Sequence, residues 1–329
     1  MSQPNTPIRI AINGYGNLGR AVELAVHNSP DMELVAIFTR RDPATLDTQF
    51  APAVAIDEAE KYVDLVDVCV LCGGSATDLD EQTPEFTRLF NTVDSFDTHA
   101  KIPSHFATVD AVARETGHVS VISSGWDPGL FSLNRLMGES VLPAGKTYTF
   151  WGRGVSQGHS DAIRRIDGVA GAVQYTVPVE EAKNRVLAGE TPELSTREKH
   201  RRECFVVAEN GADLDRIRQE IVTMENYFSD YDTTVTFISA DELSQNHAGM
   251  PHGGSVIRTG ETSAGVTQVY SFDLVLDSNP EFTGAMITAT ARAVTRMVAA
   301  GQTGAYTVFD IPPAYYSPKS GEDLRAELL

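Results

Sequence analysis

The sequence has few cysteines and no long apolar run. Three cysteines occur in 329 residues, at positions 69, 72 and 204, an odd number that is too small for a disulfide scaffold. No stretch approaches the roughly 18 uninterrupted apolar residues of a membrane-spanning helix, and the N-terminus lacks the basic and apolar regions of a signal peptide. We therefore expect free thiols, no membrane span and a cytoplasmic location.

Positive charge is also scarce. Lys and Arg number 26 against 45 Asp and Glu, so the net charge is -19 and the pI is about 4.7. A chain this acidic is repelled by nucleic-acid phosphates and by anionic lipid, which argues against both as partners. With 42% hydrophobic residues the composition is that of a globular protein, and at about 150 residues per domain the length predicts two domains.

Short apolar runs alternate with helical patterns in the first third of the chain. Strands are predicted at residues 8–13, 33–38, 65–72, 91–95 and 119–123, and helices at 18–28, 83–90 and 103–116. Strands that alternate with helices predict an α/β fold with a doubly wound parallel sheet. We assign residues 1–126 to this domain.

The pattern changes after Trp126. Asp127 and Pro128 suit the N-cap and first position of a helix. Strands follow at 148–151, 173–177, 204–208, 233–238 and 269–276, and helices at 214–224 and 282–300 should cover them. We expect a second, α+β domain over residues 127–300 with a mixed or antiparallel sheet, and a C-terminal segment, 301–329, that returns to the first domain.

A glycine motif links the first strand to the first helix. GxGxxG in this position is the dinucleotide-binding fingerprint, in which the glycines allow a tight turn, approach of a pyrophosphate and close helix–strand packing. Its residues are Gly14, Tyr15, Gly16, Asn17, Leu18 and Gly19. The doubly wound sheet is therefore predicted to be of the Rossmann type.

The residues after the second strand indicate which dinucleotide binds. An NAD site would place an acid here to bind the ribose hydroxyl, but the sequence has Thr39, Arg40 and Arg41. Two guanidinium groups and a hydroxyl suit a 2'-phosphate, which predicts NADP. The alternative is a solvated loop.

A second loop follows a predicted strand and is a candidate for the cofactor site, although a plain loop is equally compatible with the spacing. Its residues are Gly73, Gly74, Ser75, Ala76 and Thr77. Cys69 and Cys72, just before it, lie three apart on a strand and thus on opposite faces, so we expect no shared metal or disulfide.

Two further patterns raise alternatives. Ser156 lies in a GxSxG, the motif of a hydrolase nucleophile, although these residues could equally bind a substrate carboxylate. His247 and His252 share a glycine-rich loop without the carboxylates or cysteines of a metal site, so no metal is expected. A non-catalytic NADP sensor is disfavoured, because the second domain carries candidate substrate-binding residues.

Several segments together resemble one enzyme family over essentially the whole chain. They are GYGNLGR at 14–20, SGWDPG at 124–129, FWG at 150–152, SQGHSD at 156–161 and MPHGG at 250–254. They are similar to the meso-diaminopimelate D-dehydrogenases. The resemblance implies an NADP-dependent homodimer that reversibly oxidises the D-centre of meso-2,6-diaminopimelate to L-2-amino-6-oxopimelate. Ammonia is released, and the product cyclises to tetrahydrodipicolinate on the route to lysine.

The resemblance also implies site residues. Asp97 and Asp127 would hold the reacting amino group, and Trp126 and Trp151 would shape its pocket, with no general base assigned. Residues at the L-centre would be Thr176, Arg202, His252 and Asn279, and Gln157 and Gly158 would also bind the substrate. Residues that join the cofactor site would be Asp94, Ser95 and Phe96. The roles of Asp94 against Asp97, and of His247 against His252, stay open, and Asp127 is also a competent helix N-cap.

Overall fold

The computed structural model describes residues 6–329, and the chain divides into two compact units. The first runs to Leu133 and resumes from Pro280 to Leu329, and the second runs from Asn134 to Asn279. The strands are β1 (Ile8–Asn13), β2 (Met32–Thr39), β3 (Ala53–Ala55), β4 (Val68–Leu71), β5 (Asn91–Asp94), β6 (Val119–Val121), β7 (Gly145–Trp151), β8 (Gly154–Val155), β9 (Val169–Pro178), β10 (His200–Ala208), β11 (Asp232–Phe237), β12 (His252–Ser263), β13 (Val266–Leu276) and β14 (Gly304–Tyr306). The helices are α1 (Asn17–His27), α2 (Leu79–Thr87), α3 (Ile102–Thr116), α4 (Leu130–Val141), α5 (Gln157–Arg164), α6 (Glu180–Leu187), α7 (Thr196–Lys199), α8 (Leu214–Thr223), α9 (Ala240–Asn246), α10 (Asn279–Ala299) and α11 (Gly321–Leu328).

The first unit contains a parallel sheet of seven strands in the order β14-β6-β5-β4-β1-β2-β3. Apolar clusters cover both faces. One joins Ile10 and Ile12 of β1 to residues of α1 and α10, and the other joins Leu71 of β4 to Phe86 of α2. The strand order reverses beside β1, so the predicted doubly wound sheet is confirmed, and ligands of such sheets bind at the carboxyl ends of the strands near this point.

Helix α10 was predicted to cover the second domain, and this prediction was wrong. Its apolar residues Ile287, Val294 and Met297 are fully buried in the same cluster as strand β1 of the first unit. Apolar periodicity shows that a helix has a buried face but does not identify the sheet that buries it. The observed boundaries accordingly lie at 133/134 and 279/280, whereas the predicted ones were 126/127 and 300/301.

The second unit contains two sheets. One has the order β11-β10-β9-β8, with β10 and β11 parallel and the other pairs antiparallel. The other is antiparallel, in the order β13-β12-β7. Ile217 and Ile221 of α8 pack on the four-stranded sheet, as predicted for this helix, and Val186 of α6 packs on the three-stranded sheet. The mixed and antiparallel sheets predicted for this part of the chain are confirmed.

Strand β13 alternates as its sequence predicts. Phe272 and Leu274 are half-buried and Leu276 is buried, whereas Ser271 and Val275 are exposed. The start of α4 differs from the prediction. This helix begins at Leu130, so the preceding Asp-Pro pair does not occupy its N-cap and first position. No helix within residues 6–329 is long and apolar enough to span a membrane.

Candidate active site

The glycine turn after β1 leaves room for a ligand at the start of α1. Gly14 has a φ of 95°, which favours glycine, and a Cβ on Gly19 would collide with the carbonyl oxygen of Gly14. A Cβ on Gly16 would meet nothing within 4 Å. Gly16 occupies the N-cap of this helix without a side-chain cap hydrogen bond, and such a helix N-terminus is where an anion such as a pyrophosphate binds.

A buried carboxylate behind this turn was not identified from the sequence. Glu23 of α1 is 2% exposed and accepts a hydrogen bond from the Tyr15 hydroxyl and from the backbone N–H groups of Gln49 and Phe50, both at 2.8 Å. The carboxylate of Glu23 therefore accepts hydrogen bonds from both the glycine turn and the loop after β2. The sequence does carry a signal for it: Glu23 lies on the apolar side of a helix, and a carboxylate buried there requires a hydrogen-bond partner.

The two arginines after β2 lie beside this turn and the loop after β4. Arg41 donates to the backbone carbonyl of Tyr15, and Arg40 forms a 2.7 Å ion pair with Asp78 while its side chain stays 66% exposed. Asp78 also accepts hydrogen bonds from Gly74 at 2.9 Å and from Thr77 at 3.0 Å. Burial raises the pKa of Asp78, but these bonds outweigh it and hold the pKa below its ordinary value. Three segments predicted to bind the cofactor therefore meet at the carboxyl edge of the sheet.

The loops after β5 and β6 share a single anchor, the carboxylate of Asp94. It is fully buried; its Oδ1 accepts the N–H groups of Phe96 at 3.0 Å and Ser123 at 2.8 Å. Its Oδ2 accepts the Thr83 hydroxyl at 2.8 Å and lies 2.8 Å from Nε2 of His105. A carboxylate with four internal partners does not present an oxygen to a ligand.

Asp97 is placed differently from Asp94. Its side chain is exposed, and its backbone N–H is held at 2.8 Å by the Ser75 hydroxyl. Phe96 is fully buried and stacks on His105 with ring centroids 4.1 Å apart. The side chains of Asp94 and Phe96, two of the residues assigned to the cofactor from the sequence, are therefore buried and contact other residues of the protein. Asp97 is the acid presented at this edge.

The loop after β6 carries the other first-unit residues. The Ser124 N–H donates to the Asp94 carbonyl at 2.9 Å, which continues the anchoring of this loop. The Trp126 side chain is 7% exposed and lies edge-on to Phe131 at 5.1 Å. Trp126 is thus buried and packed on Phe131, directly before Asp127.

Arg202 is the main charged feature of the second unit. On β10 the residues at 200, 202, 204 and 206 are buried, and Arg202 pairs in register with Thr176 of β9, to whose hydroxyl it donates. The guanidinium lies 3.8 Å from the ring centroid of Tyr231. Arg202 is 6% exposed, its Nε has no partner, and it forms no ion pair with any residue from 6 to 329. Burial lowers its pKa. A buried cation without an acid is costly and indicates a site for an anionic group.

His252 lies against Gly154, which pairs with Thr176, whereas His247 lies beside Tyr175. Gly154 of β8 pairs with Thr176, and a Cβ on Gly154 would collide with the His252 ring. His247 follows α9 and forms a 2.9 Å hydrogen bond with the hydroxyl of Tyr175. The structure thus brings His252, rather than His247, beside Thr176.

The remaining predicted residues of the second unit lie around the same strands. The backbone N–H of Trp151 donates to Nε2 of His200 at 2.8 Å, and burial lowers the pKa of His200 to about 3, so this ring is a neutral acceptor. The side-chain amide of Gln157 lies 3.0 Å from the sulfur of Met250, and the backbone N–H of Asn279 donates to the Met250 carbonyl at 2.9 Å. Next to Gln157, a Cβ on Gly158 would meet nothing within 4 Å. The sequence analysis did not identify His200, although it shares the alternation that buries Arg202.

Ser156 has a histidine partner but lacks an effective base. Its hydroxyl lies 2.7 Å from Nδ1 of His159, and burial lowers the pKa of His159 to about 4. A general base works best with a pKa near the operating pH, so this pair does not support the hydrolase alternative. Elsewhere, Cys69, Cys72 and Cys204 are free thiols, and within residues 6–329 no three His, Cys, Asp or Glu side chains are arranged to hold a metal.

The glycine turn, the doubly wound sheet and the separate second unit with its buried cation are the features of a nucleotide-dependent oxidoreductase. Residues 125–278 match the family model of the diaminopimelic acid dehydrogenase C-terminal domain. The chain is 63% identical to the meso-diaminopimelate D-dehydrogenase of Ureibacillus thermosphaericus, over 98% of this chain and 99% of that protein. It belongs to the meso-diaminopimelate D-dehydrogenase family.

Solved structures agree with this family membership. A variant of the meso-DAPDH of Clostridium tetani E88 with six substitutions, solved with DAP, is 54% identical to this chain with a TM-score of 0.93. The match covers 98% of this chain and 100% of that one. An engineered D-amino acid dehydrogenase bound to NADP+ is 45% identical with a TM-score of 0.87, at the same coverage of both chains. The chain is therefore an oxidoreductase.

Proposed function

We propose that this protein catalyses the reversible, NADP-dependent oxidative deamination of the D-centre of meso-2,6-diaminopimelate. In this reaction the substrate amine would be oxidised to an imine, with loss of the D-carbon hydrogen as hydride and of one amine proton. Water would then add to the imine, and ammonia would leave. The product, L-2-amino-6-oxopimelate, cyclises to tetrahydrodipicolinate, which places the enzyme in lysine biosynthesis. When bound, the nicotinamide ring supplies the hydride acceptor, and the protein orients the substrate.

The observation that carries this proposal is the unpaired, buried guanidinium of Arg202. Its free Nε and its lack of an acidic partner are what a carboxylate of the substrate would satisfy. Thr176 and His252 beside it add donors of the kind that suit the same group. We assign these residues to the L-centre, with Gln157, Gly158 and Asn279 nearby in the same unit.

The Clostridium tetani variant supports the same assignment. Its six substituted positions hold Gln, Thr, Arg, Pro, His and Asn in the unsubstituted chain. The present chain has those residue types in the same order and with the same successive spacings, at Gln157, Thr176, Arg202, Pro251, His252 and Asn279. Five of the six are residues that we assign to substrate binding.

Residues of the first unit would hold the cofactor and the reacting amino group. Arg40 and Arg41 would bind the 2'-phosphate, since no acid occupies the end of β2 to bind a ribose hydroxyl. Asp97 and Asp127 would orient the amino group at the D-centre, and Trp126 would help to shape its pocket. The backbone of residues 14–19, 73–77 and 94–96, with Thr39, would line the rest of the cofactor site.

We also propose a homodimer in the cytoplasm. Leu136, Met137 and Val141 on α4 are 41%, 52% and 56% exposed, a concentration of apolar surface that suits a self-association face. The three free thiols are compatible with a reducing compartment. Light scattering of the purified protein measures its mass against the 35.6 kDa of one chain.

NADPH formation with the separate meso, L,L and D,D isomers of diaminopimelate tests the proposed reaction. We expect the meso isomer to react fastest, because an L-centre anchored at Arg202 presents only a D-centre to the nicotinamide. Arg202→Lys should raise KM for the meso isomer, since an ammonium does not bind both carboxylate oxygens as a guanidinium does. Equal rates on the meso and L,L isomers, or no activity with any isomer, would refute the proposal.

A further inference from the structure

The environment of Arg202 differs from that of most buried arginines in having no negative charge. The groups around it are the Thr176 hydroxyl, the ring of Tyr231 and two histidines, His159 and His200. Both histidines are neutral at physiological pH, because burial lowers the pKa of His159 to about 4 and that of His200 to about 3. The guanidinium is therefore held without any group that neutralises its charge.

Tyr231 is the residue that offsets the burial of this charge. The guanidinium carbon lies 3.8 Å from the ring centroid, within the range of a strong cation–π interaction. A ring face attracts the cation without using its N–H groups, whereas an acid would occupy the donors and cancel the charge. The tyrosine thus stabilises Arg202 through its ring face and a side-chain hydrogen bond without cancelling the charge, and the guanidinium Nε keeps no partner.

The backbone places Tyr231 firmly. Phe228 is fully buried in the core of the second unit, and the Tyr231 N–H donates to its carbonyl at 3.0 Å. Asp232 then begins β11, which is parallel to β10 and pairs Thr233 with Arg202. The ring is therefore set beside the guanidinium by strand register and by one buried phenylalanine.

We propose that Tyr231 is a specificity-determining positioning residue, which holds Arg202 as an unneutralised cation for the distal carboxylate of the substrate. This inference rests on the proposed function, because it takes the Arg202 ligand to be that carboxylate. Tyr231 acts through Arg202 and not on the reacting carbon. Its loss should therefore affect the binding of substrates with a distal carboxylate and leave other substrates unchanged.

The test compares Tyr231→Leu and Tyr231→Phe with the unsubstituted enzyme on two substrates, meso-diaminopimelate and D-norleucine, which has no distal carboxylate. We expect Tyr231→Leu to raise KM for meso-diaminopimelate by about 5- to 30-fold, the range of a cation–π interaction. Its kcat and its kinetics on D-norleucine should change little. Tyr231→Phe, which keeps the ring, should restore most of the affinity.

Tyr227→Leu is the matched control. Tyr227 lies in the same loop, but its ring contacts His159 at 5.2 Å instead of Arg202. We expect this variant to keep the unsubstituted ratio of KM values for the two substrates. In an Arg202→Met background, Tyr231→Leu should add no further loss, because its only route to the substrate is then removed.

Binding of pimelate, measured by calorimetry, separates this inference from the proposed reaction because it requires no turnover. Weaker pimelate binding in Tyr231→Leu but not in Tyr227→Leu would support the role of Tyr231 even if the unsubstituted enzyme failed to oxidise meso-diaminopimelate. Equal losses on both substrates, an additional loss in the Arg202→Met background, or pimelate binding that Tyr231→Leu leaves unchanged would overturn it.

Discussion

Replacing Asp94 with alanine removes the acceptor on which two loops of the first unit depend. The substitution deprives the backbone N–H groups of Phe96 and Ser123 of their partner, and it also affects Thr83 and His105. A buried donor left unpaired costs about 1–3 kcal/mol. The two backbone groups alone therefore predict a loss of about 2–6 kcal/mol in the free energy of unfolding.

Asp94→Asn is the control that isolates the anchor from the charge. The asparagine Oδ1 still accepts the two backbone N–H groups. Its Nδ2 can donate to the Thr83 hydroxyl and, after a change of tautomer, to Nε2 of His105. We therefore expect Asp94→Asn to lose less than about 1.5 kcal/mol, the net value of one ordinary hydrogen bond.

Urea unfolding at neutral pH measures both free energies, and kcat/KM for meso-diaminopimelate reports on the loops. Asp97 lies next to the anchored residue of the loop after β5, and Asp127 lies beyond the anchored residue of the loop after β6. A displacement of about 1 Å at a reacting centre can cost on the order of a hundredfold in rate. The alanine variant should therefore lose at least about tenfold in kcat/KM under conditions where it is folded. An alanine variant as stable and active as the unsubstituted enzyme, or an asparagine variant as damaged as the alanine one, would refute this reasoning.

Two other predictions concern pH and the cofactor. The pKa values of His159 and His200 in the folded protein, about 4 and about 3, lie below the ordinary 6.5. Unfolding therefore takes up protons below about pH 6.5, and the free energy of unfolding decreases as the pH is lowered, by about 2 kcal/mol for each histidine at about pH 5. Urea midpoints over this range check the expectation, and a His200→Gln variant with an unaltered pH slope would contradict it. Replacing both Arg40 and Arg41 with alanine should weaken NADP+ binding by at least about a hundredfold, on the basis of roughly 1.5–3 kcal/mol for each hydrogen bond to a charged group, and leave NAD+ binding little changed. Fluorescence titration measures both affinities, and equal weakening of the two would show that these arginines do not bind the phosphate.

Local patterns predicted the elements well where a single segment carries the information. The first strand has the predicted bounds, Ile8–Asn13, and α3 ends at Gly117 in the left-handed conformation, as its glycine indicates. The prediction failed at the Asp-Pro pair before α4, because the helix begins only at Leu130. An N-cap motif records a local preference that the surrounding chain can override.

The candidate site shows the same limit. Arg202 was implicated by family resemblance, and the alternation of His200, Arg202 and Cys204 on β10 would have indicated that it is buried. Its pairing with Tyr231 depends on the parallel register of β10 and β11, which joins segments distant in sequence. In the same way, Asp94 and Asp97 are similar acids in one short segment until the fold buries the first and exposes the second.

The class of fold, the dinucleotide fingerprint and the prediction of a phosphate-bearing cofactor follow from neighbouring residues, because turn geometry, periodicity and charge act over a few positions. The environment of each functional side chain depends on residues far away in the chain. Helix α10 illustrates this: its apolar stripe is evident in the sequence, yet its packing against β1 of the first unit is decided by the complete fold. Burial and partner choice, which make Asp94 an anchor and Arg202 an unpaired cation, arise only when distant strands come together.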